Sequence, residues 1–190
     1  MPTPTEILDA AEDVLRQFGP DKTNVVDVAR ALDVSHGTIY RHFSSKAALR
    51  DAVTRRWLER VERPLADISR RDGPADERLR EWVTTLIAIK RQKRREDPEM
   101  FATYYQLAED ATTIVQDHVD ALLGQLTDIV RDGVEQGVFG VSDPASGARA
   151  VFDATTRFHH PALADEWDDP AIDDHFETVW TLVSSGLRAG

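Results

Sequence analysis

The sequence contains no cysteine, which removes disulfide cross-links and every thiolate role, nucleophilic or metal-binding. No uninterrupted apolar run has the length that crosses a bilayer. The N-terminus carries no secretion-signal pattern, so the expected location is the cytoplasm. There is no HExxH arrangement, no glycine-rich phosphate loop and no nucleophile elbow, and catalysis is not expected. Basic residues are in deficit: 23 Lys and Arg stand against 34 Asp and Glu, for a net charge of -11. A protein that coats nucleic acid by bulk positive charge would have the opposite balance.

What is present is enough apolar material for a sizeable core, 41% hydrophobic residues in a chain of 190. The charge is unevenly spread. From Met1 to Pro64 ten basic residues meet ten acidic ones, the stretch from Leu65 to Arg95 is basic, and the acidic excess lies almost wholly after Glu96. The first third can therefore approach a polyanion although the whole chain is acidic.

The segment from Thr23 to Lys46, TNVVDVARALDVSHGTIYRHFSSK, carries two short helical patterns joined by a tight turn. Asn24 is a candidate N-cap for a helix that buries Val25, Val28, Ala29 and Leu32. Asp33 tolerates a left-handed turn, Val34 covers the inside of the corner, and Ser35 caps the next helix. That helix, about His36 to Phe43, would bury Ile39 and Phe43 and present His36, Gly37, Thr38, Tyr40, Arg41 and His42. Gly37 allows close approach to a base edge or backbone, Thr38 offers a hydroxyl or a methyl to thymine, and Tyr40 and His42 suit phosphate oxygens. Lys46, after Ser44-Ser45, starts another helix where its ammonium and free backbone N–H groups can share one phosphate. The arrangement is that of a helix-turn-helix; a solvated helical corner has the same local pattern.

The run VARALDVSHGTIYRHFSSKAAL resembles the DNA-binding signature of the tetracycline-repressor (TetR) family, IA-x-x-x-GVS-x-GT-(L/I)-Y-x-HF-x-SK-x-x-L. The resemblance covers the first third of the chain. It implies that Tyr40 contacts the phosphate backbone, that Lys46 anchors the following helix to a phosphate, and that the residues around Gly37 and Thr38 enter the major groove. Thr23 matches a threonine that begins the second helix and touches the backbone. Asp33 departs from the pattern, since many members carry glycine there. The candidate DNA-facing set is thus Thr23, Asn24, Ser35, His36, Gly37, Thr38, Tyr40, Arg41, His42 and Lys46.

The periodicity predicts an all-α fold of about nine helices, and the resemblance implies its division into a three-helix helix-turn-helix head over residues 1–45, a connecting helix over 46–69, and a larger effector-binding and dimerisation domain over 70–190. The first helix would run from about Thr5 to Phe18, burying Ile7, Leu8, Ala11, Val14, Leu15 and Phe18, and end at Gly19-Pro20. The connecting helix from Lys46 can continue through Pro64. Further helices are expected at about 75–94, 98–111, 113–136, from Ser142-Asp143-Pro144 to His160, and 171–187. The basic run Lys90 to Arg95 reads as a solvated helix end, with DNA as the alternative. Apolar faces on the last two helices suggest a homodimer paired through them, which would match a palindromic operator.

For the effector, Trp82, Tyr104, Tyr105, Asp110, His118, Arg157 and His159 are the candidate binding residues. Asp110, His118, His159 and His160 offer nitrogen and oxygen ligands of the kind that hold zinc or nickel, and the same histidines can instead bond an organic ligand or serve structure. DNA binding itself requires no cofactor. The expected function is a ligand-responsive repressor acting on a double-stranded operator, associated with DNA and not with a membrane. The alternatives are a metal-binding helical enzyme and a constitutive DNA-binding protein.

Overall fold

The computed structural model describes residues 1–22 and 24–188, with no side-chain description for residues 20–22. Among the described residues it contains nine α-helices, one 3-10 helix and no sheet. The helices are α1 (Pro4–Lys22), α2 (Val25–Ala31), α3 (His36–Tyr40), α4 (Lys46–Arg70), α5 (Ala75–Glu96), α6 (Pro98–Asp110), α7 (Thr112–Glu135), α8 (Pro144–His159) and α9 (Ile172–Leu187). The chain forms two compact units, Met1–Glu59 with Glu96–Gln116, and Arg60–Arg95 with Asp117–Gly190. α4 contributes residues to both.

In the first unit α1 packs with α2 and α6, and α2 packs with α3. The α1 stripe buries Ile7, Ala11, Val14 and Leu15 as its spacing predicts. Phe18, expected in the same stripe, is 47% exposed, because it sits at the break where Gly19 leaves helical geometry with φ 74° and ψ 171°. Arg56 on α4 ties this helix down, donating to Glu12 at 2.8 Å and to Asp9 at 2.7 Å. From α6, Asp97 accepts from Arg16 at 3.2 Å, and Tyr104 stacks on Trp57 with ring centroids 4.7 Å apart.

The second unit holds one apolar cluster fed by α4, α5, α7, α8 and α9, with Leu65, Leu79, Trp82, Leu126, Ile129 and Phe158 among its most buried members. Pro64 lies inside α4 without ending it. A 3-10 helix over Pro161–Asp168, which the sequence reading passed over, follows α8 and buries Ala164 and Trp167. Short irregular helices of this kind have no apolar periodicity long enough to announce them. The basic run at the end of α5 is not a free solvated end: Arg91 donates to Asp173 at 2.6 Å, Arg94 pairs with Asp165 and Asp168, and Lys90 is buried.

After α7, Gly137 adopts φ 74° and turns the chain so that the Val138 and Phe139 N–H groups both donate to the Gly133 carbonyl, at 2.9 and 3.0 Å. This brings the Phe139 ring onto Gly133, where an added Cβ would run into it. Gly124, in the same helix, has open space at the same point. Gly133→Ala should therefore lower stability by about 1–3 kcal/mol and Tm on the order of 5 °C. Gly124→Ala should raise stability by about 0.5–1 kcal/mol through helix propensity alone. Thermal unfolding of the two variants checks this, and shifts of the same sign would refute the packing account.

Candidate nucleic-acid interface and interior polar cluster

The head is assembled from helices too short to persist alone, so their ends matter. Asn24 caps α2 by accepting the Asp27 N–H at 3.0 Å, and Ser35 caps α3 by accepting the Thr38 N–H at 3.2 Å. Between them Asp33 takes φ 53°, the left-handed turn that glycine adopts at lower cost. Val34 donates back to Ala29 at 3.0 Å and closes the corner. Helix α3 stops at Tyr40, and Phe43, still linked through its N–H to the Ile39 carbonyl, is only half-buried. Ile39 is the anchor, with no exposed surface.

Around that anchor His36, Gly37, Tyr40 and Arg41 are exposed, and Thr38 and His42 are half-buried. The His36 and Tyr40 rings meet edge to face, 6.5 Å between centroids. Thr38 Oγ1 lies 3.0 Å from Ser35 Oγ, so its methyl is the freer part for contact. Lys46 is exposed in the first turn of α4, where Ser45 Oγ accepts the Ala48 N–H at 3.0 Å. Thr23 lies outside the described residues.

The effector candidates fall in both units. Tyr104, Tyr105 and Asp110 belong to the first, where Tyr104 stacks on Trp57 and Asp110 accepts from Arg50 at 3.0 Å. Trp82, His118, Arg157 and His159 belong to the second. Trp82 is core, its indole N–H donating to Gln125 at 2.9 Å, and Arg157 is occupied by Glu166 at 2.6 Å. His160 accepts the Ala162 N–H through Nδ1 and caps the 3-10 helix. Among the described residues no group of three or more histidine or carboxylate side chains converges on a metal position. Of the expected zinc or nickel set, Asp110 belongs to the first unit and His118, His159 and His160 to the second, and the carboxylate on His118 comes from α4.

That carboxylate is Glu62, whose Oε1 lies 2.5 Å from His118 Nδ1. Around it the second unit collects Lys90 of α5 and His159 of α8, each 5% exposed, and His118 of α7, 7% exposed. Burial, reinforced by Lys93 and opposed by Glu62, brings the Lys90 pKa down to about 8. Burial, then the Lys90 charge and His160, pushes His159 down to about 3. His118 is lowered by burial and by Lys90 against the bond to Glu62, and His160 by burial and Lys90. Lys90 and Glu62 were missed as site residues, although Lys90 follows Leu86 at i+4 and Ile87 at i+3 on the buried stripe of α5. A lysine on such a stripe is the signal that reading by charge cluster concealed.

Comparison with known proteins follows this geometry. Residues 7–53 match the family model described as bacterial regulatory proteins, tetR family, and residues 75–180 match that of the tetracyclin repressor-like C-terminal domain. The chain is 36% identical over 101 residues to the HTH-type transcriptional repressor Rv1474c of Mycobacterium tuberculosis, covering 50% of this chain and 52% of the other. It is 25% identical over 160 residues to the HTH-type transcriptional repressor BdcR of Escherichia coli, covering 78% and 81%. The chain spans about half the length of the mycobacterial relatives it matches. Its fold is that of SmeT, described as the repressor of the Stenotrophomonas maltophilia multidrug efflux pump SmeDEF, with a TM-score of 0.72 at 18% identity over 100% of this chain and 92% of that one.

The buried histidine sets a pH dependence. Unfolded, His159 takes up a proton near pH 6.5, whereas in the folded chain it does so only near pH 3. Between those values the unfolded state binds the extra proton, so stability falls as pH drops below about 6.5, by at most about 1.4 kcal/mol per pH unit for one group. Urea unfolding at pH 7, 6 and 5 should show the decline, and His159→Gln should flatten it. A slope unchanged in that variant would assign the acid sensitivity to other groups.

Proposed function

The chain belongs to the tetracycline-repressor family of ligand-responsive DNA-binding regulators, and on that footing we propose that it is a homodimeric repressor of a palindromic operator. The observation that carries the reading is the presentation of α3. A fully buried Ile39 holds the helix while His36, Gly37, Tyr40 and Arg41 face outward and Lys46 stands at the start of α4. Gly37 and Thr38 read the major groove, and His36 and Arg41 reach base edges or phosphates beside them. Tyr40, His42 and Lys46, with Thr23 and with Asn24 and Ser35 at the helix starts, bind the backbone and fix the register. Residues 1–64 are neutral overall, so attraction rests on these few groups and binding is salt-sensitive.

Dimerisation is supported by the outer faces of the last two helices. Leu182 on α9 is 72% exposed, and Val179, Val183 and Phe152 are only partly buried against their own subunit. Pairing these faces with a second copy would cover the apolar surface and set two heads for two half-sites. A small-molecule effector held in the second unit would shift the population of DNA-competent dimers through α4. Family membership makes the protein a regulator, not an enzyme.

Selection from a random duplex library by the purified protein should enrich one palindrome. Against that operator, Lys46→Ala should weaken binding about tenfold or more and reduce the salt slope by about one, and Tyr40→Phe should weaken it by roughly two- to tenfold. No enriched sequence at low salt from folded protein would sink the proposal.

A further inference from the structure

A cleft of about 480 Å³ opens on the second unit between the start of α5, the turn after α7 and the end of α9, within the roughly 300–1,000 Å³ of ligand pockets. Its floor is apolar, made by Leu79, Phe139, Trp180 and Leu187, and Val138, 36% exposed, adds to it. The sides are fixed to one another. The Gly137 reversal places Val138 and Phe139, Phe139 forms an antiparallel bridge with Arg188, and the Gly140 N–H donates to the Leu187 carbonyl at 2.8 Å. Leu182, the exposed leucine of α9, lies about 200° round the helix from Trp180, so pairing two copies through Leu182 leaves the cleft open.

Charge at the rim selects the occupant. Arg80 is committed: it donates to Glu177 at 2.6 Å, and its guanidinium lies over the Phe176 and Trp180 rings, 6.0 and 5.7 Å from their centroids. Asp76 and Glu77, in the first turn of α5, are exposed. Among the described residues neither makes an ion pair or a side-chain hydrogen bond. Arg188 is exposed as well. With Arg80 and Glu177 cancelling, two carboxylates at the cleft stand against one guanidinium.

We propose that this cleft binds an organic cation, its ammonium at Asp76 and Glu77 and its apolar body along Val138, Phe139 and Trp180. The inference goes beyond the regulator reading and does not depend on it, since it concerns binding to the second unit alone. An acid of the same shape would bring a third carboxylate to the first two, with Arg188 alone to offset them. A neutral molecule would gain the apolar contact and nothing more. Arg80, resting over two rings at this edge, shows the aromatic side of the cleft accepting a cation. The rim carboxylates are exposed, so each contact with them is weak and screened by salt; the apolar floor supplies affinity and the acids supply selectivity. An occupant that bridges α5, the turn after α7 and α9 also stabilises the folded unit.

Calorimetry on the full chain at pH 7 and low salt compares two sets of matched skeletons: octylamine, 1-octanol and octanoate, and 4-phenylbutylamine, 4-phenylbutanol and 4-phenylbutyrate. In at least one set the amine should bind with a Kd below about 1 mM, roughly threefold or more tighter than its alcohol, with the acid weakest. That amine should raise the Tm. The double variant Asp76→Asn with Glu77→Gln should bring the amine to the level of the alcohol and leave the alcohol unchanged. Val138→Ser, which trims the apolar side, should weaken amine and alcohol alike by about two- to fivefold. All three positions are exposed, so the core stays intact. No amine binding below about 1 mM, an amine no tighter than its alcohol, or a preference that persists in the double variant would overturn the proposal. Amine binding unchanged in Val138→Ser would put the ligand elsewhere and overturn it too. Operator selection is read separately, and its failure leaves this site standing.

Discussion

The head depends on closing the ends of helices that cannot stand by themselves. α2 has seven residues and α3 five, well short of the roughly 12–15 at which an isolated helix becomes even marginal in water. Asn24 and Ser35 each satisfy an N-terminal N–H that would otherwise be unpaired, Asp33 supplies the reversal between the helices, and Val28 and Ile39 are fully buried. A helix held at its cap and at one apolar contact has little freedom to rotate about its axis. The exposed side chains of α3 are consequently presented in one orientation, which groove reading requires.

The second unit solves a different problem. Its long helices bury one apolar cluster, and it also carries charged groups inside. Two buried cations show two ways of doing so. Arg78 is held by fixed partners, the Ser69 carbonyl at 3.0 Å and Asp132 at 2.7 Å, and ties α5 to the end of α4 and to α7. Lys90 sits among imidazoles with lowered pKa values and a carboxylate already engaged by His118. The first arrangement is a structural tie. The second is a lysine whose pKa burial lowers to about 8.

Much of the architecture was legible because its signals are short-range. The caps at Asn24 and Ser35, the left-handed Asp33 and the tolerated Pro64 each follow from a few neighbouring residues. Phe18 misled because its spacing continues the α1 stripe while the Gly19 break takes the helix end away from the core. The 3-10 helix after Pro161 escaped because eight residues with mixed polarity fit no period. The basic run at the end of α5 looked like one feature, yet it contains a buried lysine and arginines paired with acids more than 70 residues away.

The sequence by itself determined the all-α class, the capped helix-turn-helix segment and the family signature, since capping, periodicity and turn chemistry act over a turn or two of chain. Only the tertiary structure decided which polar side chains meet. Glu62 and His118 are 56 positions apart, and Asp110 turns to Arg50 at a separation of 60. Partners at such distances are chosen by how helices pack, through burial summed over many apolar contacts, and no local spacing encodes that choice.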